Sequence, residues 1–403
     1  MKKDSSVVAA GESSGACPRI PRIVWALGMV SLCMDFSSEL IHAILPVFLT
    51  VELGASPVAI GLLEGGAEAV VSVMKVLSGF FSDWTRQRKP YVVAGYGIAA
   101  LTKPLFPSAS GITVIFFARF LDRVGKGIRG APRDAIMAAS APPTILGACF
   151  GLRQSLDTVG AILGPVAALL LLRYSTGGLR GAMWWGTPPA LVAVLVLVFC
   201  IQEPEESSAP RDHTVDLSIW DLGPTFWRVV LLGLVITFAR SSEAFLILRV
   251  SGLGLPIWLT PVVLITMNIL YAVSAYPVGA LSDRVGRSGM LSISLGLLCV
   301  SCIVLVFASS PMLGLVGAAL WGLHLGFSQG VLSAMIGESV PTTLLGRAFG
   351  MYNLVTALAL IAGNLLVGSL WQEYGPAVAY AWGAGLCLLA CSWVEFGRAI
   401  GRS

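Results

Sequence analysis

The chain has 403 residues, 56% of them hydrophobic and only 12% charged, with a net charge of +4 and a mean hydropathy of +0.83. Soluble domains carry about 25% charged residues, so the composition excludes an ordinary soluble globular protein and places the chain in a membrane. There the small basic excess reports topology rather than nucleic-acid binding, and eight cysteines without a spaced framework exclude a disulfide scaffold.

Residues 1–22 begin with Lys2 and Lys3, but SSVVAAGESSGA lacks the apolar region of a signal peptide, so a polar cytoplasmic tail is expected. Apolar segments near the 20 residues a span requires then occur twelve times, at 23–50, 57–82, 90–108, 111–139, 147–172, 181–201, 225–250, 256–281, 289–309, 311–337, 347–370 and 376–396. The fold class is therefore an all-α membrane protein. The longest polar stretch, 202–224, reads as a linker between halves at 23–201 and 225–403. Basic residues cluster in the tail, the linker and alternate loops, including Arg88, Lys89, Arg211, Arg284 and Arg347. The opposite loops hold little beyond Arg173, Arg180 and Arg249. Basic residues favour the cytoplasmic side, so both termini are expected there.

An ionisable group in a span is costly unless it faces a cavity or a partner. Span 1 carries Asp35, Glu39 and His42 at i, i+4, i+7, one helical face. Two readings stand side by side: a proton-binding cluster, or a structural set paired with arginines of span 4. Span 2 repeats the device with Glu64, Glu68 and Lys75, expected to pair with other helices. Span 4 is the densest. Arg119, Arg123 and Lys126 share a face, and Asp122, Lys126, Arg129 and Arg133 make an overlapping stripe. Span 5 supplies Arg153 and Asp157, with Asp157 the candidate counter-charge for Arg123 or Lys126. Acidic and basic groups nearly balance, and the guanidinium groups of spans 4 and 5 tilt the expectation toward an anionic ligand, which Arg holds in a two-point grip.

The second half is poorer in charge. Arg240 and Glu243 stand at i, i+3 in span 7 and are expected to satisfy each other. Span 8 offers Asn268 and Tyr271, span 10 offers Trp321, His324 and Gln329, and span 11 offers Tyr352, Asn353 and Asn364. Cys299 and Cys302 form a CxxC in an apolar run with no second pair, so no metal site is expected. No GxxxxGK[ST] loop or HExxH motif occurs, and GESSG at 11–15 lies in the polar tail without the strand–turn–helix pattern of a nucleophile elbow, so neither ATP drive nor enzymatic chemistry is expected, and no cofactor.

The halves repeat. GFFSDWTRQRKP (79–90) and GALSDRVGR (279–287) share Gly and Asp; PPTILGACFG (142–151) matches PTTLLGRAFG (341–350); Ser37-Ser38-Glu39 reappears as Ser241-Ser242-Glu243. Three matches about 200 residues apart indicate a duplicated six-helix unit. With these residues in view, the chain resembles a major facilitator superfamily transporter. Gly79, Asp83, Arg88 and Lys89 match that superfamily's GxxxDRxGRR signature, while Trp84, Arg86 and Gln87 depart from it. The second copy matches at Gly279, Asp283, Arg284, Gly286 and Arg287. Gly160, Gly164 and Pro165 resemble the GxxxGP motif of its antiporter branch, and SSEL, EGGAEA and DRVGKGIRGAPRDA resemble a bacterial permease subgroup.

The resemblance implies two six-helix bundles around a midplane site, alternating access, and a bacterial inner membrane. It also implies a cytoplasmic latch through Asp83 and Asp283, with Arg284 in the second signature and Arg129 or Arg133 completing the first latch. The expected function is secondary transport of a small organic solute, anionic and proton-coupled, by a monomer among membrane lipids. The candidate substrate and coupling residues are Asp35, Glu39, His42, Glu64, Glu68, Arg119, Arg123, Lys126, Arg153, Asp157 and His324, the last because span 10 lines the cavity in that architecture. Multidrug efflux and iron or siderophore transport are the alternatives within the class. A membrane receptor with a transporter fold and an intramembrane enzyme are the rivals outside it.

Overall fold

Prolines punctuate the helix starts. Pro57 and Pro376 open their helices, and Pro90, Pro188, Pro224 and Pro311 stand in first turns, where a missing N–H leaves no bond unmade. A computed structural model describes residues 20–85, 87–141, 145–201, 222–285, 287–341 and 344–400, with side chains at 83, 146–147, 276, 279–285, 345–347 and 394–400 left out. The first half comprises α1 (Arg22–Val51), α2 (Pro57–Thr85), α3 (Lys89–Thr102), α4 (Leu105–Ser108), α5 (Ile112–Ser140), α6 (Leu146–Tyr174), α7 (Gly178–Trp184) and α8 (Thr187–Cys200). The second comprises α9 (Gly223–Ala239), α10 (Glu243–Gly252), α11 (Val262–Val285), α12 (Arg287–Phe307), α13 (Pro311–Ser339), α14 (Leu345–Tyr374) and α15 (Pro376–Ile400).

Three crossings are built from two helices each: α3 with α4, α7 with α8, and α9 with α10. The first break falls at Lys103–Pro104 and the second at Trp185–Gly186, ahead of Pro188 and Pro189. The third, at 240–242, contains neither proline nor glycine. The fifteen α-helices of the described residues thus make twelve crossings. Ten stretches of the described residues are long and apolar enough to span a membrane. The two crossings that fall short are α3–α4, broken at Lys103, and α5, which carries the charges of span 4.

The end of the bundle bearing Arg22 is called the near end and the other the far end. At the far end one apolar cluster runs through both halves, from Leu40, Ile44 and Phe48 to Ala244, Leu298 and Trp321. Toward the near end the core divides. One cluster around Leu27, Met34 and Tyr96 belongs to the first half; two others, around Leu295 and around Phe226, belong to the second. Apolar burial therefore joins the halves at one end and leaves them separate at the other.

The join is tightest between α2 and α14. A Cβ on Gly65 would lie 2.9 Å from Ile361 Cα and from the Leu360 carbonyl, and one on Gly368 would lie 2.6 Å from the Pro57 carbonyl. Gly61 meets the Asn364 backbone in the same way. Small residues allow such backbone approach between membrane helices. Gly160 and Gly164 do the same for α6 against α1, at the Leu32 and Phe36 carbonyls. In this fold the GxxxGP glycines are a packing seam. The far-end loops are tied by arginines: Arg180 holds Glu52 and the carbonyls of Pro107 and Ala109, and Arg249 holds those of Leu305 and Ala308.

Candidate functional site

The charges of α5 face inward, and Arg119 and Arg123 are paired rung by rung with carboxylates of α2. α2 and α5 run in the same direction, so a step of four residues on one matches a step of four on the other. Arg119 Nη2 donates to both Glu64 oxygens at 3.1 and 3.0 Å, and Arg123 Nη1 lies 3.3 Å from Glu68. Arg119 and Glu64 are 2% and 4% exposed, so each removes a charge that would otherwise be buried alone. Asp122, on the opposite side of α5, accepts a 2.8 Å bond from Lys103, which also donates to Ser38. Nearer the near end, Arg129 stacks 4.4 Å from the Tyr96 ring centroid and reaches Asp35 at 3.9 Å, and Arg133 donates to Ser31 and Asp134.

Two expectations about pairing are corrected. Asp157 is not the counter-charge of Arg123 or Lys126: it bonds Arg153 on its own helix, while Glu68 takes Arg123. Residues one turn apart on a helix meet directly, and α2 already supplies a carboxylate in register with Arg123. Nor do Arg240 and Glu243 share a helical turn. α9 ends at Ala239 and α10 begins at Glu243, with Arg240, Ser241 and Ser242 between them. The opened backbone finds side-chain partners: Ser242 N–H donates to Asn364 Oδ1 at 2.7 Å, and Ser242 Oγ accepts from Ala244 N. Broken membrane helices survive only where freed backbone groups are satisfied in this way.

Two polar cavities lie between the halves. The midplane cavity, about 340 Å³, is lined by Glu39, His42, Glu64, Glu68, Arg123 and Lys126 from the first half. Arg240, Ser241, Ser242, Glu243, Trp321, Gln329, Leu360 and Asn364 line it from the second. The near-end cavity, about 300 Å³, has Asp35, Lys75, Arg129, Arg133, Asp134 and Asp157 on one side and Asn268 and Tyr271 on the other. Lys126 lines both, so the two chambers adjoin.

His42 connects the halves. Its Nδ1 lies 3.0 Å from Arg119 Nη2 and its Nε2 lies 3.8 Å from Glu243 Oε2. A guanidinium has donors only, so Nδ1 accepts and Nε2 carries the hydrogen directed at Glu243. His42 is thereby held as one neutral tautomer.

Eight of the eleven sequence-predicted substrate and coupling residues line one or other cavity, and Arg119 and Arg153 pair with lining carboxylates from directly behind. Arg153 stands behind the near-end cavity through its bond to Asp157. His324 lies elsewhere: it is fully buried, and its Nδ1 bonds Ser294 of α12. It lines neither polar cavity, because the face of α13 turned inward carries Trp321 and Gln329 instead. Of the latch residues, Arg129 is occupied by Tyr96 and Asp35, and the side chains of Asp83, Asp283 and Arg284 lie outside the described set. Lys103 is absent from the sequence-based set, although a lysine inside span 3 is the same signal that singles out α5.

Twelve crossings in two like halves, closed together at one end around a charged central cavity, are matched by a family model described as Major Facilitator Superfamily over residues 27–269 and 258–399. The chain belongs to the major facilitator superfamily. An uncharacterized MFS-type transporter of Methanocaldococcus jannaschii is 32% identical over 359 residues, covering 87% of this chain and 88% of that protein. Macrolide efflux protein A of Streptococcus pyogenes is 23% identical over 370 residues, covering 85% and 87%. The crystal structure of the nucleoside transporter NupG superposes with a TM-score of 0.75 at 14% identity, over 93% of this chain and 98% of that one. This major facilitator protein is a multi-pass integral membrane protein of transporter type, and its solute is a small molecule.

Proposed function

We propose that this superfamily member is a secondary active transporter that moves a small organic anion across a bacterial inner membrane, coupled to protons. The observation that carries the reading is the state of Lys126 and Arg240. Both line the midplane cavity, and neither has an ion-pair partner among the described residues. The positive-inside distribution puts the near end and both termini in the cytoplasm, so the closed far end faces outward and the cavities are reached from inside. The halves at 23–201 and 225–403 would then rock about the site, with the 1–22 tail and the 202–224 linker outside the bundles and the protein acting as a monomer. Asp83, Asp283 and Arg284 are assigned the cytoplasmic latch on sequence grounds.

Glu243 is assigned the coupling proton. It faces His42 across the interface, with Glu39, Glu64 and Glu68 on the opposite wall and Arg240 beside it. Neutralising Glu243 removes the charge that faces His42 Nε2 at 3.8 Å across the interface, so proton occupancy and separation of the halves are linked. Efflux of a large apolar drug is a poorer fit to a chamber of this size and charge density.

The test is flux in proteoliposomes across a panel of radiolabelled organic anions. An imposed pH gradient is expected to drive uptake by the native protein, and Glu243→Gln is expected to make the rate indifferent to that gradient while exchange persists. Lys126→Met should lower the rate by tenfold or more. Flux in native vesicles that ignores the gradient removes the coupling assignment, and absence of any anion flux removes the substrate assignment.

A further inference from the structure

The midplane cavity has two unlike walls. On the first-half wall, Glu64 is occupied by Arg119 and Glu68 by Arg123, while Glu39 has no basic partner within ion-pair range among the described residues. The second-half wall carries Glu243, turned toward His42 and assigned the proton above, and is otherwise rich in donors. Trp321 is 1% exposed, lines the cavity, and its indole Nε1–H finds no acceptor among the described residues. Asn364 Oδ1 is taken by Ser242 N–H, which fixes the amide so that its NH₂ is left over. Arg240 stands beside them, freed from the helix by the break between α9 and α10.

A buried indole N–H without an acceptor is uncommon in a finished protein interior. Here it shares a cavity with an unpaired guanidinium and a left-over amide donor, and all three ask for an acceptor-bearing, anionic group. The other wall carries one unpaired charge of each sign, Lys126 and Glu39, and Glu39 asks for the opposite group. A ligand carrying only negative charge would place part of its surface against Glu39, and a purely cationic one would meet Arg240 and Lys126. Repulsion between like charges is strong where water is scarce. A solute with both signs leaves no wall unmatched.

We propose that the midplane cavity binds a zwitterion, its carboxylate or other acidic group on Arg240, Trp321 and Asn364 and its ammonium group on Glu39. The proposal rests on the transport reading above and narrows its substrate from an organic anion to an amino-bearing organic acid. Glu39 and Trp321 are binding residues of opposite polarity on opposite halves, so the ligand itself ties the halves together. A cavity of about 340 Å³ is at the small end of ligand sites, which favours a solute of amino-acid size over a polymer or a chelate.

The experiment uses matched triads on the full-length protein in nanodiscs: leucine, 4-methylpentanoate and isoamylamine; phenylalanine, 3-phenylpropanoate and phenethylamine; 6-aminohexanoate, hexanoate and hexylamine. Binding is read by calorimetry and thermal shift. In at least one triad the zwitterion is expected to bind ten times more tightly than either singly charged relative. Glu39→Gln should erase that preference while leaving the anion bound as well or better, and Glu39→Asp should restore part of it. Trp321→Phe keeps the ring and removes the donor, so it should weaken the zwitterion and the anion several-fold and leave the amine unchanged. An anion bound as tightly as its zwitterion in every triad overturns the proposal, as does an absence of binding by all nine compounds. Loss of zwitterion binding in Glu39→Gln without gain or retention of the anion, in protein that still elutes as a single folded species, also overturns it. Proteoliposome flux separates the two readings: anion flux without zwitterion preference leaves transport standing, and zwitterion binding without flux leaves the site standing and removes transport.

Discussion

Lys103 shows how much of this interior rests on single partnerships. It is 1% exposed, in the break between α3 and α4, and its ammonium is shared between Asp122 and Ser38. Breaking a buried pair by removing one partner costs about 3–5 kcal/mol, because the other charge is left without compensation. Lys103→Met should therefore lower the thermal unfolding temperature of the purified protein sharply, and Lys103→Met with Asp122→Leu should recover most of the loss. A double variant no more stable than the single one would show that Lys103 acts through something other than Asp122. The pairs on α5 were legible in part. That its charges face other helices follows from the cost of exposing them to lipid, and Arg119 with Glu64 honours that rule. Which carboxylate meets which guanidinium was not legible, since it depends on the relative direction and height of α2 and α5, which spacing along one helix does not encode. His42 is a similar case. Its place on the face of Asp35 and Glu39 can be read from spacing, but its fixed tautomer is set by Arg119 from another helix.

At the scale of elements, the break between α9 and α10 separates two copies of one motif. Ser37-Ser38-Glu39 lies within the unbroken α1, whereas Ser241-Ser242-Glu243 straddles the break. Nothing in the local residues distinguishes them, since neither copy contains proline or glycine. The difference is tertiary: Ser37 Oγ donates to the Gly186 carbonyl, whereas the Ser242 backbone N–H is claimed by Asn364. Asn364→Leu should leave that N–H, just ahead of α10, without an acceptor, a loss of about 1–3 kcal/mol for an unsatisfied buried group. Hydrogen–deuterium exchange should report it as faster exchange at 240–244, with α1 unchanged. Equal exchange in both forms would mean that the break is held by other contacts. The twelve crossings themselves were legible from hydropathy, and the split crossings at 102–105 and 184–187 follow from prolines. The third split follows from none of the residues it contains.

For the whole molecule, the division of the core has a direct test. One apolar cluster joins the halves at the far end, and separate clusters serve each half at the near end. A cycle that exposes the midplane cavity to the other side must part α2 from α14, where the Cβ position of Gly368 lies 3.0 Å from Val58 Cα. Gly368→Val adds side-chain atoms where a Cβ already lies 2.6 Å from the Pro57 carbonyl, so it should disfavour the form closed at the far end and lower flux several-fold in protein that still elutes as a single folded species. Unchanged flux in Gly368→Val would show that the α2–α14 contact does not close during transport.

The same seam bears on what the protein does when it carries nothing. A bilayer held at about 100 mV places roughly 2.3 kcal/mol on every unit charge able to cross it, and a single file of water molecules through an idle carrier would dissipate that energy as a proton leak. Along Gly61, Gly65 and Gly368 main chain lies against main chain, with no side chains between to leave gaps. The lining charges of the chamber are thus separated from the far end by direct main-chain contact. On the transport reading proposed above, insulation and motion would fall to the same few glycines, because a methyl group at any of them would meet the opposing main chain and pry open the contact that keeps water out.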